Sequence, residues 1–124
     1  MARGDVILYE NKSLIALERL VRRRLWQRLR GFAASLPFAQ EVLAAYFCAV
    51  DPRTPLAVKL TLLGTLAGFL MPQRLIPRAL RSLVVGGDIG FLLGALQGFA
   101  AQIRPEHRMR ARLLIIRLRR ERAA

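Results

Sequence analysis

The sequence predicts an all-α fold: a small helical protein with a central, glycine-rich, apolar helical hairpin, flanked by basic amphipathic helices at its N- and C-termini. Three observations predict it. The 124-residue chain is 54% hydrophobic yet carries a net charge of +13. The charge is concentrated near the two ends, with the apolar residues between them. No segment alternates as a half-buried strand would. We expect a single domain: a basic arm over 1–35, an apolar helical core over 38–103 and a basic helix over 104–124.

Six of the nine glycines recur at every fourth position of the apolar middle. Residues four apart lie on the same face of a helix, so each series forms a bare face against which a second helix backbone packs closely. The opposite interpretation, a glycine-loosened core without such pairing, stays open. If the hairpin turns near Ala79, the two series face each other. The predicted helix-packing residues are Gly64 and Gly68 in the first series and Gly86, Gly90, Gly94 and Gly98 in the second.

The first predicted helix covers Tyr9–Arg30, after an irregular lead-in over residues 1–8. Arginines and Trp26 surround its apolar stripe, and Gly31 suits a helix end. A basic amphipathic helix of this kind lies on an anionic surface or docks on a partner, although the solvated face of an ordinary bundle helix has the same pattern. The stripe consists of Leu14, Leu17, Val21, Leu25 and Leu29.

Two apolar helices follow, Phe38–Val50 and Leu56–Leu70. We expect Thr54 to be the N-cap of the second one, with Pro55 at its first position. At about 1.5 Å per residue, that helix is shorter than the ~30 Å hydrocarbon core of a membrane. Lys59 is then expected to snorkel to the membrane interface.

A second apolar segment, Leu83–Ala101, completes the predicted hairpin. Alternatively, Asp88 is an N-cap, and the helix covers only Ile89–Ile103. Since basic segments favour the cytoplasmic side, we expect a membrane protein with both termini there. A full transmembrane span and a re-entrant hairpin both stay open, because three arginines lie in the connection between the two segments.

The last predicted helix has Pro105 in its first turn, and Met109, Leu113 and Ile116 form its apolar stripe. Arginine surrounds this stripe and far outnumbers lysine in the chain. Arginine binds phosphate with two parallel hydrogen bonds, which favours an anionic partner surface. The residues predicted to make that contact are Arg22, Arg23, Arg24, Arg74, Arg78, Arg81, Arg108, Arg112 and Arg119.

Residues 71–78, with the sequence MPQRLIPR, and the later Gly86-Gly87-Asp88 resemble the YkvA-like family, a domain of unknown function. The resemblance covers about residues 40–101 and implies a small membrane-associated helical protein without an established enzymatic activity. The family has acidic residues where this chain has Arg74 and Arg78, which implies that a cation site of the family would be lost here, or that a phosphate would bind instead. The motif positions are Pro72, Leu75, Ile76, Pro77 and Asp88.

The sequence shows no pattern of catalytic, cofactor-binding or metal-ligating residues, so we expect neither an enzyme nor a bound cofactor or metal. The single cysteine, Cys48, lies in an apolar run and is expected to be a small core residue. His107 is the only histidine, and it lies among arginines without a cluster of cysteines or carboxylates. We therefore expect His107 to be a solvated helix residue.

These observations favour a membrane-associated scaffold or accessory subunit that binds anionic phospholipid or an acidic partner protein, with homo-oligomers through the glycine series as a further expectation. A nucleic-acid-binding module is the main alternative, because a charge of +13 favours phosphate contacts. A membrane enzyme or transporter fragment is the third interpretation, with Asp88 as its single intramembrane acid.

Overall fold

The computed structural model describes residues 3–32, 39–84 and 88–123, and within them the chain is helical without strands, which confirms the predicted all-α class. Two short 3₁₀ segments, Gln73–Leu75 and Arg78–Leu83, connect the third α-helix to the fourth. The five α-helices are α1 (Arg3–Phe32), α2 (Ala39–Val50), α3 (Leu56–Leu70), α4 (Ile89–Gly98) and α5 (Pro105–Ala123).

Helix α1 is longer than the sequence predicts, because no proline and only one glycine occur in its first turns. Its backbone is already helical at Arg3, so the irregular lead-in expected over residues 1–8 is wrong from there on, and the helix continues past Gly31. The predicted apolar stripe is confirmed as the face that brings α1 against α3. Its fully buried members are Leu17, Val21 and Leu29.

Helix α2 is the centre of the fold, since it packs against both α3 and α5. It begins at Ala39. The predicted helix began one residue earlier, at Phe38, which lies outside the described residues. Small side chains on α2 let neighbouring helices approach closely, because Ala44, Ala45 and Ala49 are fully buried. All five helices contribute to one continuous apolar core, so the two basic helices are parts of the fold rather than separate arms.

Helix α3 has the predicted bounds, but its first turn is not capped as expected. Pro55 takes the N-cap position, which has no side-chain hydrogen bond. The hydroxyl of Thr54 instead donates to the carbonyl of Cys48 at 2.6 Å, and Thr54 is buried. The predicted N-cap is therefore wrong, because this hydroxyl closes the turn after α2.

The side chain of Lys59 caps a neighbouring helix. Its Nζ donates to the carbonyls of Ala49 at 2.6 Å and Asp51 at 3.1 Å. These contacts place an ammonium group at the C-terminal end of α2, where the helix dipole favours a cation. The expected snorkelling of Lys59 is therefore wrong.

Helix α4 starts where the alternative prediction placed it. Oδ1 of Asp88 accepts a hydrogen bond from the N–H of Phe91 at 2.8 Å, so Asp88 is the N-cap. The longer helix Leu83–Ala101 is therefore wrong. The end expected at Ile103 is wrong as well, because α4 stops at Gly98 and turns follow it.

The predicted transmembrane hairpin and the membrane localisation are wrong. Within the described parts of the chain, no helix combines the length and the apolar character needed to cross a bilayer. Helices α3 and α4 have 15 and 10 residues, and α1 and α5 are longer but rich in arginine.

Candidate functional site

The side of α5 that faces away from the core is the candidate functional surface. Met109, Leu113 and Ile116, the predicted apolar stripe, are 54%, 57% and 38% exposed. The side that packs on α2 contains Ala111 and Ile115 instead, which are buried. At 3.6 residues per turn, the two sets point in opposite directions. The predicted apolar stripe therefore does not pack on α2, and its three large apolar side chains lie in one row on the surface.

Arginines border this row on both edges, and we refer to the row and its arginines as the α5 outer face. Along one edge, no arginine has a carboxylate partner among the side chains that the structure describes. Along the other edge, the guanidinium of Arg110 lies 4.4 Å from the ring centre of Phe47, and Arg117 pairs with Glu121 at 3.5 Å. The first edge consists of Arg108, Arg112 and Arg119, and the second of Arg110 and Arg117.

His107 fixes the start of α5 to the loop between α2 and α3. Nδ1 of His107 accepts the N–H of Arg104 at 3.0 Å, and Nε2 lies 2.8 Å from Oδ2 of Asp51. Since a backbone N–H only donates, the ring proton is on Nε2, which donates to Asp51. His107 is only 2% exposed, so the expected solvated residue is wrong. It completes the N-terminal cap of α5, a role that glutamate or glutamine more often takes.

Arg53 joins the same cluster from the surface. Its guanidinium pairs with Oδ2 of Asp51 at 3.0 Å and with the carboxylate of Glu106. The hydrogen bonds that Arg53 donates, followed by that of His107, hold the pKa of Asp51 well below its usual range. The hydrogen bond from Arg53 also lowers the pKa of Glu106, and the bond with Asp51 raises the pKa of Arg53. Both carboxylates are therefore ionised at neutral pH, and the cluster is a network of ion pairs.

Asp51, Glu106 and His107 are also the one group of metal-ligand type among the described residues, with donor atoms within 4.8 Å of one another. Their arrangement is structural, because Arg53 forms ion pairs with both carboxylates and both ring nitrogens of His107 form hydrogen bonds. A metal would need the lone pair of Nε2 and the displacement of Arg53. For the same reason, His107 has no free nitrogen with which to act as a general base. Sequence reasoning missed this cluster because 56 residues separate Asp51 from His107.

Some of the arginines predicted to contact an anionic surface are used within the fold. Nε of Arg22 donates to the hydroxyl of Tyr46 at 2.9 Å. Nε of Arg24 donates to the carbonyl of Leu70, the last residue of α3, at 3.3 Å. Nε of Arg81 donates to the carbonyl of Ile76 at 3.2 Å. The other predicted contact residues are exposed, namely Arg23, Arg74, Arg78, Arg108, Arg112 and Arg119.

The two glycine series do not face each other. A Cβ at Gly64 would lie 1.9 Å from the carbonyl oxygen of Leu83, so this glycine lets the 3₁₀ segment before α4 pack closely on α3. A Cβ at Gly94 or Gly98 would meet no described atom within 4 Å beyond the neighbouring backbone of α4. The predicted pairing is wrong because α4 turns its leucines, rather than its glycines, toward the core. Of the remaining predicted positions, Gly68 is half-buried, Gly90 is exposed and Gly86 lies outside the described residues.

The motif residues of the YkvA-like resemblance shape the connection between α3 and α4. Ile76 is 2% exposed and packs with Met71 and Leu80 in a small second apolar cluster. The connection therefore packs on α1 through apolar contacts, next to the hydrogen bond from Arg24 to Leu70. Of the other motif positions, Leu75 is exposed, Pro72 and Pro77 precede the two 3₁₀ segments, and Asp88 caps α4.

Cys48 is a buried core residue, as predicted. Its thiol donates to the carbonyl of Gln102 at 3.3 Å, and burial raises the pKa of the thiol. A buried, protonated thiol is a poor nucleophile. Cys48 therefore packs α2 against the turns that precede α5.

Comparison with family models, curated proteins and solved structures finds no match for this chain. The resemblance to the YkvA-like family therefore stays a prediction, and so do the expected anionic-phospholipid and homo-oligomer partners. The function is inferred from the geometry of this chain alone.

Proposed function

We propose that the protein is a helical scaffold that binds an acidic partner protein through the α5 outer face. The observation that carries this proposal is the row of Met109, Leu113 and Ile116 on the side of α5 opposite to the core. Large apolar side chains exposed in a contiguous row are a mark of a protein interface. Their i, i+4, i+7 spacing is that of the anchors by which one helix packs along another.

The arginines specify the charge of the partner. A helix that packs its own apolar stripe on the row places its flanking residues beside Arg112 and Arg119. Glutamate or aspartate at those flanking positions complements the arginines, whereas lysine is repelled. A second copy of α5 would bring arginine against arginine. The surface therefore favours an acidic amphipathic helix over self-association.

The cluster at the start of α5 supports the same proposal. The bonds of His107 to Asp51 and of Arg53 to Glu106 hold the first turn of α5 on the loop after α2. The apolar row is thus presented on an anchored helix. A surface that is ordered before binding loses less conformational entropy when the partner binds.

A pair of designed peptides tests this function. One peptide is an amphipathic helix with a leucine stripe bordered by glutamates, and its control keeps the glutamates but has serine in place of each leucine. We expect the leucine peptide to bind at least about tenfold more tightly, because burying several leucine side chains contributes more than about 1.4 kcal/mol. Fluorescence anisotropy of the labelled peptides measures both affinities. Equal affinities would contradict the proposal, since binding would then depend on negative charge alone.

Variants of exposed residues locate the surface. Leu113→Asp places a carboxylate in the apolar row, and Arg112→Glu reverses one charge at its edge. Each should weaken binding of the leucine peptide at least about fivefold, because one loses apolar contact and the other opposes the glutamates. Arg74→Glu makes the same charge change in the connection between α3 and α4 and is the matched control. If this control weakens binding as much as Arg112→Glu does, the α5 outer face is not the binding surface.

Nucleic-acid binding is a second candidate function, which the surface of α1 favours. Trp26 is 37% exposed and lies beside Arg19, Arg22 and Arg23 around a groove of about 410 Å³. An exposed indole next to arginines is the combination on which unpaired bases stack. Trp26 is the only tryptophan, so a single-stranded oligonucleotide should quench the protein fluorescence, with an affinity that falls steeply as salt rises. Unchanged fluorescence at low salt would remove this candidate.

A further inference from the structure

A groove runs between α1 and the connection that joins α3 to α4, and we name it the α1 groove. The volume of its main part is about 500 Å³, within the range of roughly 300–1,000 Å³ that small-molecule sites occupy. Its lining is predominantly apolar. The floor includes the buried Leu80 and the half-buried Leu20, and Pro77 lines one side. The exposed residues Lys12, Arg19 and Arg23 form the rim.

The α1 groove continues along the helix toward its C-terminal half. A second hollow of about 160 Å³ shares Leu20 and Arg23 with the main part and is bounded by Met71 and Leu75. Between Lys12 and Gln27, the outermost α1 residues of the two parts, the helix rises by about 22 Å. The groove therefore extends along about four turns of α1, and this length suits an extended chain better than a compact ring.

Among the residues that the structure describes, the charged ones that line the two parts of the groove are all cations. Lys12, Arg19 and Arg23 have no carboxylate partner among the described side chains. Arg19 and Arg23 are four residues apart on one helix face, so both guanidinium groups reach the same ligand group. An apolar floor with a cationic rim complements a molecule with a long apolar chain and one anionic head. Binding removes the apolar surfaces of the chain and of the floor from water, and the arginines donate charge-assisted hydrogen bonds to the head.

We propose that the α1 groove binds a single-chain anionic amphiphile, either a long-chain fatty carboxylate or a lysophosphatidate. The acyl chain lies on Leu20, Pro77 and Leu80, and the head accepts hydrogen bonds from Arg19 and Arg23. This site lies outside the α5 outer face, and its occupancy does not depend on the scaffold function proposed for α5.

Isothermal titration calorimetry of the full chain with three monomeric probes tests the assignment. The probes are hexadecanoate, hexadecanoyl-lysophosphatidate and hexadecyltrimethylammonium, each below its critical micelle concentration. We expect each anion to bind with one molecule per chain and the cation to show no binding. The anion that binds more tightly identifies the preferred head, carboxylate or phosphate. Binding of the cation with an affinity equal to that of hexadecanoate would overturn the proposal.

Substitutions in the groove and outside it complete the test. Ala16→Trp fills the groove from an exposed position of α1, and Arg23→Glu reverses the rim charge. Each should weaken binding of the anions at least about tenfold, which corresponds to about 1.4 kcal/mol. Arg119→Glu makes the same charge change on α5 and should leave the affinity unchanged, and circular dichroism verifies that each variant is folded. An equal loss in Arg119→Glu would overturn the proposal, as would displacement of hexadecanoate by the acidic leucine peptide, which would make the groove a protein-docking surface.

Discussion

Nε2 of His107 lies 2.8 Å from Oδ2 of Asp51, and this contact joins the first turn of α5 to the loop after α2 across 56 residues of sequence. The imidazole is 2% exposed and also accepts the N–H of Arg104. Removing the ring would leave the N–H of Arg104 without its acceptor and would leave Asp51 paired with Arg53 alone. The position of α5 on α2 therefore depends on polar bonds as well as on apolar packing.

Replacing His107 with alanine should lower the free energy of unfolding by about 2–3 kcal/mol, because both hydrogen bonds of the buried ring are lost. Urea denaturation followed by circular dichroism measures the change. His107→Gln should recover part of the loss, since glutamine at this position still accepts the N–H of Arg104. Met109→Ala, an exposed substitution in the same helix, is the control and should change stability by less than about 0.5 kcal/mol. A loss in His107→Ala no larger than that of the control would show that the contact with Asp51 contributes nothing to stability.

The folded protein should lose stability in acid through Asp51 and Glu106. The hydrogen bonds of Arg53 lower the pKa of both carboxyls in the folded state, so the unfolded chain takes up protons first as the pH falls. The stabilisation is complete well above the unfolded values of about 3.9 and 4.3, and it is lost as the pH falls through that region toward the folded values. Melting temperatures measured from pH 6 downward test this, and Asp51→Asn and Arg53→Met should both give a flatter profile. An unchanged slope in both variants would mean that acid acts elsewhere in the chain.

The substitutions Gly64→Ala and Gly94→Ala should change the free energy of unfolding in opposite directions. A Cβ at Gly64 would lie 1.9 Å from a backbone oxygen, which has to move, so we expect a loss of about 1–3 kcal/mol. A Cβ at Gly94 meets open space, and alanine should stabilise the interior of α4 by about 0.5–1 kcal/mol. Equilibrium unfolding of the two variants side by side provides the measurement. Destabilisation by Gly94→Ala would indicate that an atom of another chain lies against this face.

Asp88→Ala should lower stability by about 1 kcal/mol, because the N–H of Phe91 loses its acceptor at the start of α4. Asp88→Ser keeps an oxygen in reach of that N–H and should retain most of the stability. Differential scanning calorimetry compares the two variants with the parent protein. The role of Asp88 as a cap would be excluded if serine and alanine had the same effect.

Local patterns predicted the parts of the fold that depend on local chemistry. Helix α3 lies between two prolines that restrict the backbone, and the structure gives it the predicted bounds. The apolar stripe of α1 has one clear face, and that face is buried. Asp88 precedes an apolar helix and caps it, as one of the two predictions for this segment proposed. In each case, residues within a few positions of one another decide the structure.

Contacts between distant residues decided what the sequence could not predict. Helix α5 carries two apolar stripes, one with Met109 and Leu113 and the other with Ala111 and Ile115, and both have helical spacing. The stripe that packs on α2 makes its contacts with residues far away in the sequence, as His107 does with Asp51, and no local pattern contains that information. The sequence therefore predicts Met109, Leu113 and Ile116 as an apolar stripe but not their exposure, which depends on the face of α5 that packs on α2.

The buried thiol of Cys48 provides a built-in label for the motion of α5. It is the only cysteine, and its thiol donates to the carbonyl of Gln102 in the turns just before that helix. Separation of these turns from α2 would therefore expose the sulfur to an alkylating reagent. The rate of alkylation by iodoacetamide, compared with that of a free thiol, reports how often this separation occurs in the native protein. Mass spectrometry of the intact chain can measure this local opening without any engineered probe.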